Sequence, residues 1–162
     1  MLDVLIYTDG SCDKNPGGNG GFSSIIFIDE KPIFIAGYEP NFTNQRAEMM
    51  AVIQALSYLN QYTDISSVTI CTDSAYVANC FINGWYKKWM KNGWKTSQGE
   101  DVLNQDLWRR LLSLVDGYEE VKFIKVKGHA DNIFNNKCDM TAKDIVSFKK
   151  IIDNEINKKR GI

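Results

Sequence analysis

Two short stretches decide how this chain folds, "YTDGSC" (7–12) and "CTDSAY" (71–76). Each brings a run of apolar and β-branched residues to an aspartate, Asp9 in one and Asp73 in the other. Runs of that composition read as strands. If the two strands are parallel neighbours, both carboxylates emerge at one sheet end, the end where open α/β sheets bind ligands.

Reading outward from these stretches, residues 3–8 form a first strand and "DKNPGGNGG" (13–21) a turn, where Pro fixes φ and Gly supplies positive φ. "FSSIIFI" (22–28) and "PIFIAGY" (32–38) flank "DEK" and predict an antiparallel hairpin. Thr43 or Asn44 caps a helix whose Met49, Val52, Ile53, Leu56 and Leu59 repeat at helical spacing. Further helices are expected over about 74–82, 101–116 and 138–156, and strands over 67–72 and 120–126. The order β-β-β-α-β-α-α-β-α predicts an α/β fold. Its five-stranded mixed sheet has three antiparallel strands, then two parallel ones, flanked by helices.

With 162 residues the chain has the size of one domain. Its 44% hydrophobic and 24% charged residues are those of an ordinary globule, and a net charge of −1 gives the whole molecule no strong electrostatic preference. Cys12, Cys71, Cys80 and Cys138 form no CxxC pair, which fits neither a zinc knuckle nor a dense disulfide framework. Reduced cysteines in the cytoplasm are the simplest expectation. The N-terminus lacks the pattern of a signal peptide, and no run approaches the ~20 apolar residues of a membrane span.

Two more acids point toward the same sheet end. Glu48 is placed in the first turn of its helix, on the face carrying Val52, Ala55 and Leu59. Asp139, at the expected start of the last helix, shares a face with Ala142 and Val146. Taken singly, an acid in a first turn ordinarily complements the helix dipole, and an Asp after a strand ordinarily forms a turn. Four together repel one another unless cations hold them. With carboxylate ligands and no His or Cys set, the expected ions are hard: two Mg²⁺, with Mn²⁺ as the alternative. Such a pair suits in-line displacement at phosphorus.

These residues, in this order, resemble type 1 ribonuclease H. The similarity runs through "YTDGSCDKNPGGNGGF" (7–22), "TNQRAEMMAVIQAL" (43–56), "TDSAYV" (72–77), "GWYKKWMKNGWKTSQG" (84–99) and "VKGHADNIFNNKCD" (126–139). The resemblance implies an endonuclease that cuts the RNA strand of RNA–DNA hybrids, leaving 5′-phosphate and 3′-hydroxyl ends. Its catalytic carboxylates match Asp9, Glu48, Asp73 and Asp139. Its mobile-loop histidine matches His129, the chain's single histidine, with a part in product release or leaving-group protonation.

The substrate contacts are implied in the same way. From Ser74 to Gly99 there is no acid, while Lys87, Lys88, Lys91 and Lys95 alternate with Trp85, Tyr86, Trp89 and Trp94. A solvated helix with an aromatic seam is the plain reading; basic groups for phosphates and flat rings for sugars or bases is the other. In the family this segment is a basic protrusion gripping DNA, and Trp85, Trp89 and Ser97 match its channel. Tyr76 takes a place that is aromatic in some members. Thr43 and Asn104 match a pocket for a DNA phosphate, although Asn41 stands where some members have Arg. Cys12, Asn15, Asn44 and Gln45 match the positions that sense the RNA 2′-hydroxyl, joined by Glu48. Asn136 replaces a Glu found in many members. The expectation is a single catalytic domain over 1–162 with a basic C-terminal helix end. It is expected to work as a monomer without an obligate protein partner. A non-catalytic hybrid-binding module and a DNA-cutting relative of the same fold are the alternatives.

Overall fold

The computed structural model describes residues 1–127 and 132–161. Ten elements follow in order: β1 Leu2–Cys12, β2 Gly18–Ile28, β3 Lys31–Phe42, α1 Asn44–Leu59, β4 Ile65–Thr72, α2 Ala75–Ile82, α3 Trp85–Lys91, α4 Gln105–Asp116, β5 Glu120–Lys125 and α5 Ile133–Arg160. The sheet order is β3-β2-β1-β4-β5. β1–β2 and β2–β3 are antiparallel, and β1–β4 and β4–β5 are parallel, as the hairpin and crossover pattern requires.

Two glycines show how the layers sit. A Cβ on Gly10 would run into the backbone of Ala47 and Glu48 in α1. A Cβ on Gly21 would run into the carbonyl of Ala142 in α5. Gly21 pairs with Ser11, and neighbouring strand residues alternate faces, so Gly10 and Gly21 lie on opposite faces. α1 therefore covers one face and α5 the other. On the α1 side, Ile6, Ile26, Val52, Ile53, Leu56 and Ile70 are sealed from solvent and form one cluster with Trp108.

Several boundaries depart from the sequence expectation. β1 runs on to Cys12, so Asp9 lies inside a strand. The ladder to β2 continues through Cys12↔Gly20, whereas the ladder to β4 stops at Thr8↔Thr72. α5 begins at Ile133, capped by the Asn132 side chain, which accepts from the Asn135 N–H. Asp139 is thus in the second turn, and so is Glu48, because α1 already begins at Asn44. α4 starts at Gln105 rather than 101. α3 is an additional short helix that buries none of its residues, so it leaves no apolar stripe to read.

Gly21→Ala should lower stability by roughly 1–3 kcal/mol, because backbone cannot yield as a side chain can. Urea denaturation of this variant checks the close approach of α5; an unchanged midpoint would contradict it.

Candidate active site

The sheet splits at one point, and the acids meet there. Beyond Thr8↔Thr72, β1 keeps its partner β2, but β4 ends and turns into α2. Ser74 makes that turn: its N–H donates to Thr72 Oγ1 (3.1 Å), and its Oγ accepts from the Val77 N–H (3.2 Å). Asp73 is thereby held between strand end and helix cap. Gly10 lets α1 press onto β1, which brings Glu48 against Asp9. The Gly10 N–H donates to Asp9 Oδ1 (2.9 Å).

Asp9, Glu48 and Asp73 each offer an oxygen within 4.8 Å of the others. Asp139 is outside this set. Its Oδ2 accepts from Lys143 Nζ (3.0 Å), one turn further along α5. It is still near enough to act electrostatically on Asp9. The Ser23 Oγ–H, donating to the Cys138 carbonyl (2.7 Å), and the Cys138 thiol on the Tyr7 carbonyl (3.4 Å) fix α5 at this level. Asn135, missed by the sequence reading, is buried beside the acids and donates from Nδ2 to Asp73 Oδ2 (3.5 Å). His129 lies outside the described residues.

Electrostatics at the cluster are strained by burial. Burial pushes the Asp9 carboxyl up to about 7, against a lowering hydrogen bond with Glu48, and the Asp73 and Asp139 charges raise it further. Burial, then the Asp9 charge, raises Glu48 well above the ordinary carboxylate range. Glu48 Oε2 is buried with no donor facing it. An orphaned carboxylate oxygen among hard oxygen ligands fits a hard divalent cation.

The expected substrate residues fall into three groups. On one flank, the Cys12 N–H donates to Asn44 Oδ1 (2.8 Å) and the Asn44 N–H to Asn15 Oδ1 (3.1 Å), which ties Cys12, Asn15 and Asn44 together beside exposed Gln45. On the other, Trp85, Trp89 and Ser97 line a groove of about 300 Å³ with Lys88 and Lys95. Trp94 leaves that group: at 8% exposure it packs into the core between Trp89 and the Arg109 guanidinium. Between these flanks, Thr43 caps α1, and Asn104 and Tyr76 share a hydrogen bond. Asn41 takes a left-handed φ of 53°.

A carboxyl kept protonated by the fold favours the folded state at low pH. That contribution is lost as pH rises from 3.8 through about 7. Cations bind the deprotonated form. Added Mg²⁺ should therefore raise Tm more at about pH 8 than at about pH 5.5. Asp9→Asn should raise the metal-free Tm at the higher pH while abolishing most of the Mg²⁺ shift. An Mg²⁺ shift equal at both pH values would contradict the burial of this pair.

A family model described as RNase H matches residues 2–147. The chain is 43% identical over 143 residues to the ribonuclease H of Prosthecochloris aestuarii, covering 88% of this chain and 94% of that protein. It is 44% identical over 146 residues to the ribonuclease H of Caldicellulosiruptor saccharolyticus, covering 90% and 97%. Among solved structures it is similar to LC9-RNase H1, a type 1 RNase H with the type 2 active-site motif, at TM-score 0.78 and 24% identity over 91% of this chain and 73% of that one. RNase H1 from the halophilic archaeon Halobacterium salinarum matches at TM-score 0.68 and 21% identity, over 90% and 98%. These two likenesses concern the fold. A family match across nearly the whole chain, together with carboxylates from β1, α1 and the end of β4 meeting at the split in the sheet, places this chain in the ribonuclease H family.

Proposed function

We propose that this chain hydrolyses the RNA strand of RNA–DNA hybrids with two bound Mg²⁺ ions, Mn²⁺ being the alternative, and leaves 5′-phosphate and 3′-hydroxyl ends. The observation that carries the reading is the convergence of Asp9, Glu48 and Asp73 within 4.8 Å, in a chain of this family. Asp9, Glu48, Asp73 and Asp139 are the residues that would hold the ions. When bound, the pair supplies an activated water and neutralises charge on the attacked phosphate and its leaving 3′ oxygen.

The chain's own groups do the rest. Asp139, which accepts from Lys143 in the metal-free protein, would exchange that partner for the bound cations. Cys12, Asn15, Asn44 and Gln45 read the 2′-hydroxyl beside Glu48, and the hydrogen bonds among the first three keep that reading surface in register. Trp85, Trp89 and Ser97 seat the DNA strand, with Lys88 on its phosphates, while Lys95 is paired with Asp101. Thr43 and Asn104 hold a DNA phosphate between the two, and the Tyr76 ring joins the DNA channel. His129 protonates the leaving group or speeds product release. The whole of 1–162 serves as one catalytic domain, with its protrusion at 84–99 and a basic helix end at Lys158, Lys159 and Arg160. It works as a monomer in the cytoplasm. No described helix is long and apolar enough to cross a membrane.

Labelled RNA–DNA hybrid, duplex DNA and duplex RNA, each with and without Mg²⁺, test the proposal. RNA cutting in the hybrid alone, dependent on metal, is the expected result. Tight hybrid binding without cutting would make the chain a binding module, and cutting of duplex DNA would make it a DNA nuclease. Asp73→Asn should abolish turnover while circular dichroism stays native. Hybrid affinity should fall steeply with salt, and Lys88→Ala should flatten that slope by about one unit. His129→Ala should slow turnover without eliminating it.

A further inference from the structure

We propose that the Tyr76 hydroxyl is a fixed, donor-only group for one non-bridging phosphate oxygen of the DNA strand, set in that role by Asp106, Arg46, Asn104 and Trp108. This deepens the hybrid-cleavage reading and rests on it. The resemblance assigns Tyr76 only as a ring in a DNA channel. The geometry gives its oxygen a separate task.

The argument follows the direction of each hydrogen bond. Arg46 can only donate. Its NH1 and NH2 reach Asp106 Oδ1 (2.9 Å) and Oδ2 (2.8 Å) as a two-pronged pair, and NH1 also reaches Asn104 Oδ1 (3.3 Å). The Asn104 amide is thereby oriented with its oxygen toward Arg46. Its Nδ2 then donates to the Tyr76 hydroxyl oxygen (3.1 Å). The indole of Trp108 likewise can only donate, and its Nε1 reaches the same oxygen (3.1 Å). Both lone pairs of the Tyr76 oxygen are filled. Its proton is left to donate, and among the described residues it meets no acceptor. The second Nδ2 hydrogen of Asn104 is in the same state.

The support behind this pair is rigid. Trp108 is fully buried, its ring 5.2 Å from that of Tyr76, while Tyr76 and Asn104 are half-buried. Arg46 is tied to the start of α1 through its N–H on Thr43 Oγ1 (3.1 Å). Two convergent, preorganised donors with no partner suit an acceptor-only oxygen, and a phosphodiester offers one every nucleotide. Position 41, where some members of the family carry Arg, is Asn in this chain. Arg46 does not replace that charge directly, because Asp106 neutralises it; the Arg46 hydrogen bond holds the Asp106 carboxyl down to about 2. The phosphate is held by neutral donors, which release no counterion.

That last property separates the proposal from a plain electrostatic contact. The test is hybrid binding by the metal-free full-length chain, which cannot cut, followed by turnover with Mg²⁺. Tyr76→Phe keeps the ring and removes the hydroxyl. It should weaken Kd about tenfold and leave the salt slope unchanged. Arg46→Lys, which cannot hold both Asp106 and Asn104, should weaken binding similarly. The double variant should be no weaker than either single one, since both remove the same contact. Hybrids carrying one uncharged methylphosphonate in the DNA strand locate the acceptor: at one position wild type should lose affinity and Tyr76→Phe should not. An unchanged Kd for Tyr76→Phe, additive losses in the double variant, a flatter salt slope, or no methylphosphonate position that removes the difference would each overturn the proposal. A wild-type chain that leaves the hybrid uncut would sink the activity reading instead, while the binding titration still decides this one.

Discussion

The structure turns on negative oxygens crowded where the sheet divides. Asp9 and Glu48 are drawn out of water and against each other, and Asp73 closes the set within 4.8 Å. Burying carboxylates without full compensation opposes folding by several kcal/mol per ion. The opposing term is the core directly beneath. Val52, Ile53, Leu56 and Leu59 lie on the helix that carries Glu48, and all are sealed from solvent. Full burial of such a side chain is worth about 1.5–3 kcal/mol. Gly10 is the hinge of this arrangement, because any side chain there would lift α1 from β1 and separate the two acids.

Much of this was legible in the sequence, and for identifiable reasons. The apolar spacing of α1, its Thr43 cap and the β-rich runs gave the strand pairing and the layer order. Glu48 fell on the buried face by simple angular counting. Elements whose signal is tertiary were read short. Gly10, Ser11 and Cys12 have no strand preference of their own; the β2 ladder alone extends β1 past Asp9. α5 opens on Ile133 and Phe134, which are 77% and 42% exposed, so they broke the periodicity that marks its buried face. The Asn132 cap was the available clue. Trp94 looked like part of the aromatic grip because it is three residues beyond α3, yet a left-handed φ of 62° turns it into the core. The Arg46–Asp106 pair joins residues 60 apart, for which local pattern carries no signal. Most of the substrate contacts came from family resemblance rather than from spacing.

Charge placement explains why the protrusion is needed. On α1 and α5, which carry Glu48 and Asp139, three basic side chains are already engaged: Lys143 with Asp139, Lys150 with Asp13, Arg46 with Asp106. None of them presents a free positive field to an incoming phosphate. Lys88 and Lys91, on α3, form no ion pair among the described residues. In the proposed function those two lysines add long-range attraction for a polyanion, whereas the acids repel phosphate until cations are bound.

This division orders the events at the site. In the proposed function a hybrid would first be captured at a distance from the acids, by cations and flat rings that are indifferent to sequence. Neutral donors beside α1 can then set its register without adding attraction that would hold the product. In that reading only the step at the scissile phosphate depends on the buried pair Asp9 and Glu48 giving up protons to bind metal. Burial raises the Asp9 carboxyl to about 7 in the metal-free protein, so protonation there opposes cation binding on the acid side of that value. On that reading binding and cutting would separate by pH, by metal and by salt, each acting on a different set of residues.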